Sequence, residues 1–337
     1  MTSYPTRKIG SDQVSAIGYG AMGISAFYGE TESDEERIKF LTEVYNRGCT
    51  FWDTADIYKD SEDLIGKWFK ETGKRKEIFL ATKFGFFSPH KKGVDGRPEY
   101  VPEACETSLK RLGVDQIDLY YLHRADPTVP IEKTVGAMAE LVKAGKVRYL
   151  GLSEVNSETL RRAHAVHPIA AVQVEFSPFT LDIMDEKIGL LKTARELGVA
   201  VIAYSPLGRG LLTGQYKSPD DFAEDDFRRF VPRYSKENFP NILALADNLK
   251  RVGAKYNATA GQVALAWLLA QGEDVLPIPG TKKVKYLEEN LDAVKIKLSK
   301  EDVEEVTRVA KASDASQGGL RYPPGMAETL FADTPPL

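Results

Sequence analysis

The chain has only two cysteines in 337 residues, so no disulfide framework carries its fold. Cys49 and Cys105 each fall inside an apolar pattern and read as reduced core residues. No apolar run reaches membrane-spanning length, and "MTSYPTRKIG" holds no signal-type core. A cytoplasmic location with no membrane partner is the expectation. Neither sign of charge is in large excess. A net charge of −4 gives no electrostatic footprint for nucleic acid. No Pro/Gly/Ser-rich linker divides the sequence either. With 42% hydrophobic and 28% charged residues, a large core can form without staples. One domain over 1–337 is expected, since α/β barrels run past about 250 residues as a single unit.

What is present is an alternation. Strand-like apolar runs are "TFWDTA" (50–55), "IFLATKF" (78–84), "IDLYYLH" (117–123), "VRYLGLS" (147–153), "AAVQVEFS" (170–177), "VAVIAYSPL" (199–207) and "VLPIPG" (275–280). Amphipathic stripes separate them, such as Leu64, Ile65, Trp68 and Phe69, or Ile131, Val135, Met138 and Val142. With "IGYGA" as the first strand, there are eight βα units. Near-continuous apolar strands mean parallel strands buried on both faces. Eight in a row favour an α/β fold of the closed (β/α)8 TIM-barrel type. The barrel is expected over about 16–293. Long loops follow the third strand (85–100) and the seventh (208–238), and an extra helix (239–255) precedes the helix at 259–271. A C-terminal extension, 294–337, adds a charged helix near 299–312 and an irregular tail.

"GYGAMG" supplies Gly18, Gly20 and Gly23 in a G-x-G-x-x-G spacing. A dinucleotide-binding turn needs its third glycine inside a helix whose N–H groups hold pyrophosphate. Here "ISAFYGETESDEER" follows, with no helical period at its start. The first convincing helix opens at Ser33, which makes a capping box with Glu36. Asp53 also lies beyond the roughly 20-residue spacing of the ribose-binding acid. The Rossmann reading is therefore disfavoured.

In a parallel barrel the strand C-termini open on one face, so the residues there converge: Asp53 with Tyr58, Lys83, His123, Ser153, Gln173, Tyr204 with Ser205, and Gly280 with Thr281. Lys83 stands in a run that otherwise reads as buried. An ammonium there costs several kcal/mol unless paired, and Asp53 on the adjacent strand is the available partner. A structural ion pair alone would satisfy that. A free tyrosine, with a pKa of about 10, is a poor proton donor unless tuned, and a neighbouring Lys⁺ is expected to lower it. His123 is positioned to hydrogen-bond a carbonyl oxygen. Together these make a general-acid set for reducing a carbonyl.

The chain resembles the aldo-keto reductase family from "IGYGAMG" to "YLEENL". The carriers are "FWDTADIYKDSEDLIG", "ATKFG", "DLYYLHR", "GKVRYLGLSE", "QVEFSPF", "AYSPLGRGLLTG" and "PIPGTKKVKYLEEN". That resemblance implies Tyr58 as proton donor, Lys83 and Asp53 as its tuning pair, and His123 as the group orienting the substrate carbonyl. It implies NADPH as cofactor. Ser153 and Gln173 match the positions on the nicotinamide carboxamide, and Tyr204 the aromatic stacked on the ring. Ser205, Pro206, Leu207, Gly208 and Gly210 match the pyrophosphate loop. Gly280, Thr281 and Lys282 match the 2′-phosphate segment, and Glu289 and Asn290 the adenine positions. The chain departs from better-known members at Glu154, where they carry Asn, and at Gly280 and Tyr286, where many carry Lys and Arg. Lys282, Lys283 and Lys285 are the candidates for the missing charge.

Phe27, Tyr28, Phe84 and Phe86 are candidates for a pocket taking flat substrates. His164 and His167 share a helix face but have no third ligand nearby, so no metal site is assigned. Tyr4 and Lys8 fall in an N-terminus that looks unfolded, and "SPDDFAEDD" lacks the calcium-loop glycine. The expected function is NADPH-dependent reduction of an aldehyde or ketone. The motifs are most like the subgroup of pyridoxal and broad aldehyde reductases. A nicotinamide-binding sensor or channel-associated subunit with little turnover is the alternative. A Schiff-base lyase is disfavoured, because a paired, charged Lys83 is the wrong nucleophile. A small carbonyl compound is the only partner implied, and the oligomeric state is left open.

Overall fold

The computed structural model describes residues 4–26, 31–224, 226–316 and 318–337. Its first element corrects the reading of an unfolded N-terminus: β1 (Thr6–Ile9) and β2 (Asp12–Ser15) form an antiparallel hairpin. Ile9 and Val14 point from it into a cluster with Phe51, Phe79, Leu119 and Leu276. Two four-residue strands are too short to leave a periodic signal.

Eight parallel strands follow in sequence order: β3 (Tyr19–Gly20), β4 (Phe51–Asp53), β5 (Phe79–Phe84), β6 (Ile117–Leu122), β7 (Val147–Ser153), β8 (Ile169–Glu175), β9 (Ala200–Tyr204) and β10 (Val275–Pro277). The ring closes where Gly18 N donates to Pro277 O (2.9 Å) and Gly20 N to Pro279 O (3.2 Å). A Cβ at Gly20 would meet Ile278 O at 2.7 Å, and one at Gly280 would meet Gly20 O at 2.8 Å. The glycines of "GYGAMG" thus let the first and last strands approach. This is the expected (β/α)8 barrel.

The helices are α1 (Met22–Ser25), α2 (Asp34–Asn46), α3 (Ser61–Thr72), α4 (Tyr100–Leu112), α5 (Ile131–Lys143), α6 (Ser157–Val166), α7 (Leu190–Leu197), α8 (Phe239–Ala254), α9 (Ala260–Ala270), α10 (Val284–Asp292) and α11 (Lys300–Ser316). The Ser33 hydroxyl accepts from Glu36 N (3.3 Å), and Asp34, Glu35 and Glu36 fill the first turn of α2, where acids favour the helix dipole. Helix α8 is the expected extra helix, and α9 starts on a Thr259–Gln262 capping box.

Strand alternation sorts the side chains into two cores. Leu80, Tyr120, Leu152 and Val172 face the helices, while Phe79, Ala81, Leu119, Tyr121 and Ala171 fill the barrel. Gly151 is part of that interior packing, since a Cβ there would lie 2.4 Å from the Tyr121 ring. Cys49 and Cys105 are free, buried thiols, and burial pushes each up to about 12. No helix among the described residues is long and apolar enough to cross a membrane.

Candidate active site

The same alternation decides what reaches the barrel mouth. On β5, Phe79, Ala81 and Lys83 point inward, so Lys83 arrives at the C-terminal end of the interior with no exposure. Its ammonium pairs with Asp53 at the end of β4 and donates to Thr54 O at 2.7 Å. The second Asp53 oxygen accepts from Gln173 Nε2 at 2.7 Å. Burial pulls Lys83 below the usual lysine range and pushes Asp53 up, while the pairing opposes both shifts.

Tyr58 sits in the turn after β4, with its ring centroid 5.0 Å from the Lys83 ammonium. His123 follows β6 and meets the Tyr58 ring edge-on, centroids 6.0 Å apart at 87°. The four residues expected to act together are therefore adjacent. Their electrostatics differ from the expectation in one respect. Burial, reinforced by Asp53, raises Tyr58 well above its ordinary value, and Lys83 does not reverse this. Tyr58 is thus a phenol, not a phenolate, at neutral pH. His123 is held well below the usual histidine range by burial and by the Arg124 and Lys83 charges, so its imidazole is neutral.

Among the pocket candidates, Phe86 lies against His123, with centroids 5.2 Å apart. Phe84 does not belong to the pocket. It is the neighbour of inward-facing Lys83, so it points to the helices, stacks on Tyr120 (4.9 Å) and approaches Tyr100. Phe27 and Tyr28 lie outside the described residues.

The remaining candidates line the other half of the mouth. Ser153 and Gln173 are register partners on β7 and β8. A carboxamide needs one donor and one acceptor. The Ser153 hydroxyl accepts from Arg124 Nη1 (3.3 Å) and so keeps its proton to give, and Gln173, having donated to Asp53, keeps its carbonyl. That donor set fits a nicotinamide. Tyr204 ends β9 beside them. Ser205, Pro206, Leu207, Gly208 and Gly210 form a tight turn, with Gly208 N donating to Ser205 O (2.9 Å) and Gly210 N to Leu207 O (3.0 Å). Thr281 and Lys282 precede α10, and Lys282 is 3.3 Å from Glu32. Glu289 and Asn290 are on α10, where Glu289 accepts from the Thr259 hydroxyl at 2.6 Å. Tyr286 accepts from Gln215 Nε2 at 3.2 Å.

Four residues at the mouth have no counterpart in the sequence reading. Arg321, from the segment after α11, is buried between Glu154 (3.1 Å), Glu175 (3.2 Å) and Asp182 (2.7 Å). Glu154 itself is fully buried in a left-handed backbone conformation, φ 51°. Its carboxylate turns to the tail. Tyr322 Oη lies 3.0 Å from Tyr204 Oη, and the Arg209 guanidinium covers the Tyr322 ring at 4.6 Å. Arg124 is buried next to His123. A usable signal existed for Arg321: two acids at adjacent buried strand ends require a cation from elsewhere.

A profile of the Aldo/keto reductase family matches residues 16–311. The chain is 64% identical over 315 residues to the aldo-keto reductase str7 of Strobilurus tenacellus, covering 92% of this chain and 93% of that one. It is 53% identical to the aldo-keto reductase yakc [NADP(+)] of Schizosaccharomyces pombe, over 99% of both chains. In structure it resembles the glycerol dehydrogenase AKR11B4 of Gluconobacter oxydans, with a TM-score of 0.83 and 28% identity, covering 93% of this chain and 97% of that one. The chain belongs to the aldo/keto reductase family.

Proposed function

We propose that this protein reduces an aldehyde or ketone to the alcohol, with NADPH as hydride donor and Tyr58 as proton donor. The adjacency of Asp53, Lys83, Tyr58 and His123 at one end of the barrel carries this reading. NADPH, when bound, supplies the hydride, and the NADP(+) in the fission-yeast relative's name supports that choice. Ser153, Gln173 and Tyr204 are the residues that would hold its nicotinamide.

The chain's own groups do the rest. The neutral His123 imidazole can donate to the carbonyl oxygen without a full charge of its own. Lys83, paired with Asp53, favours negative charge developing on that oxygen. Tyr58, protonated throughout the neutral range, gives up its proton as the alkoxide forms. Burial makes Tyr58 a weak acid at rest. The nearby ammonium stabilises the phenolate left after transfer.

The substrate class proposed is a flat aldehyde, such as pyridoxal or an aryl aldehyde, lying against Phe86. NADPH fluorescence titration, followed by absorbance loss on adding 4-nitrobenzaldehyde or pyridoxal, tests the whole reading. Turnover by wild type but not by Tyr58→Phe, with cofactor bound by both, is expected. Binding without turnover across a wider carbonyl panel would favour a nicotinamide-binding sensor instead.

A further inference from the structure

Arg124 is 4% exposed, and no carboxylate lies within ion-pair distance of it among the described residues. Burying a guanidinium in that state costs several kcal/mol. Its nearby acids are already used. Asp53 is held by Lys83 and Gln173, and Glu154 by Arg321 and the Glu175 N–H. Arg124 spends one nitrogen locally, Nη1, which donates to His123 O (2.7 Å) and Ser153 Oγ (3.3 Å). Its plane covers Phe86 at 5.1 Å, the ring that also touches His123. Neither Nε nor Nη2 has an acceptor among the described residues, and Nε is buried in that condition.

A guanidinium N–H makes a charge-assisted hydrogen bond to a carboxylate, and Nη2, unlike the buried Nε, is the nitrogen that a carboxylate can reach. Its contact with Ser153 and its face on Phe86, the ring beside His123, place this guanidinium at the mouth. We infer that Arg124 anchors a carboxylate on the substrate, and that the carbonyl compounds this site takes are aldehydo or keto acids. The inference rests on the carbonyl reductase reading. The acid group docks on Nη2 of Arg124 beside Phe86, since Nη2 has no acceptor among the described residues and, unlike Nε, is not buried. A short carbon linker leaves the carbonyl near Tyr58 and His123.

The test compares 4-formylbenzoate with its methyl ester, as a ratio of kcat/KM, in wild type, Arg124→Gln and Arg124→Lys. NADPH titration of each protein reports the cofactor site separately. Wild type is expected to favour the acid by about 10- to 100-fold, the worth of charge-assisted hydrogen bonds in a buried site. Arg124→Gln should bring the ratio to one or below, and Arg124→Lys should hold an intermediate value. A wild-type ratio of one or less overturns the inference. So does a ratio that Arg124→Gln leaves in place while both rates fall, which would make Arg124 a positioning group for His123 and Ser153. If Arg124→Gln does not fold, wild type and Arg124→Lys decide alone. Reduction of the neutral ester by wild type reports the reductase reading by itself. If neither these compounds nor a wider carbonyl panel oxidises NADPH, that reading fails. Quenching of protein fluorescence by acid and ester then decides this one: acid-selective binding lost in Arg124→Gln sustains it, and equal or absent binding overturns it.

Discussion

Arg321 Nη2 lies 3.1 Å from Glu154 Oε2, joining the C-terminal tail to the end of β7. The same guanidinium holds Glu175 and Asp182, and Phe331 N donates to Glu154 O at 2.7 Å. Burial alone would raise the Glu154 carboxyl, but Arg321 and Arg124 keep it below the usual range. Removing one partner of a buried ion pair costs about 3–5 kcal/mol, because the other charge is left uncompensated. Arg321→Met is therefore expected to lower unfolding stability by that order and to speed amide exchange at Phe331. Adding Glu154→Gln should recover part of the loss. The sign with pH follows: a depressed carboxyl contributes stability above its unfolded value near 4.5, which is lost as pH falls through the folded value. Urea unfolding of wild type and Glu154→Gln between pH 3 and 6 checks this. The wild type should show the steeper acid loss.

How much of this was legible differs by element. Lys83 was readable because a lysine in an all-apolar run demands a partner, and the barrel supplies Asp53 one strand away. Tyr58 and His123 followed from the strand ends and from the family resemblance. Phe84 falls outside the pocket because the period of two that turns Lys83 inward turns its neighbour to the helices. The direction of the Tyr58 shift was missed because burial, which is set by the whole mouth, outweighs one neighbouring charge. Glu154 and Glu175 at adjacent buried strand ends require a cation, but Arg321 and Tyr322 sit in "GGLRYPP", a stretch without periodicity, so which residue supplies it is a tertiary fact. The hairpin β1–β2 was lost to its brevity.

The pH profile of carbonyl reduction should be flat across the neutral range. His123 is depressed well below 6.5 and Tyr58 raised well above 10, so neither the imidazole proposed to orient the carbonyl nor the proposed proton donor changes state between pH 6.5 and 9. Rates measured at saturating NADPH should fall only on the alkaline side, where Lys83, pulled below the usual lysine range, gives up its charge before Tyr58 loses its proton. A fall centred near pH 7 would mean that one of these groups is far less buried during turnover.

Gly151 separates β7 from the Tyr121 ring by less than a methyl group. A Cβ there would lie 2.4 Å and 2.5 Å from two ring carbons, and both partners are fixed in strands. Gly151→Ala is expected to destabilise the barrel by about 1–3 kcal/mol, the usual cost of overpacking. Tyr121→Phe should not relieve it, since the ring remains, whereas Tyr121→Leu should in part. Denaturant midpoints of the single and double variants form the cycle that measures this.

Asp56, two residues before Tyr58, is a carboxyl that the fold tolerates rather than uses. Burial and the nearby Glu62 push it up to about 8, against smaller opposing effects of the Ile57 N–H, Arg111 and Lys83. Its Oδ1 is buried with no hydrogen-bond partner. For an acid raised on folding, the folded state holds the proton that the unfolded state has released. Stability then declines as pH rises from about 4 to about 8, by at most about 1.4 kcal/mol per unit. Asp56→Asn keeps the shape and removes the charge. Its gain in unfolding free energy should be larger at pH 8 than at pH 5, by roughly 1 kcal/mol or more. Urea unfolding at the two pH values measures the difference. An equal effect at both would mean that Asp56 ionises freely in the folded protein, and that water reaches the turn carrying Tyr58.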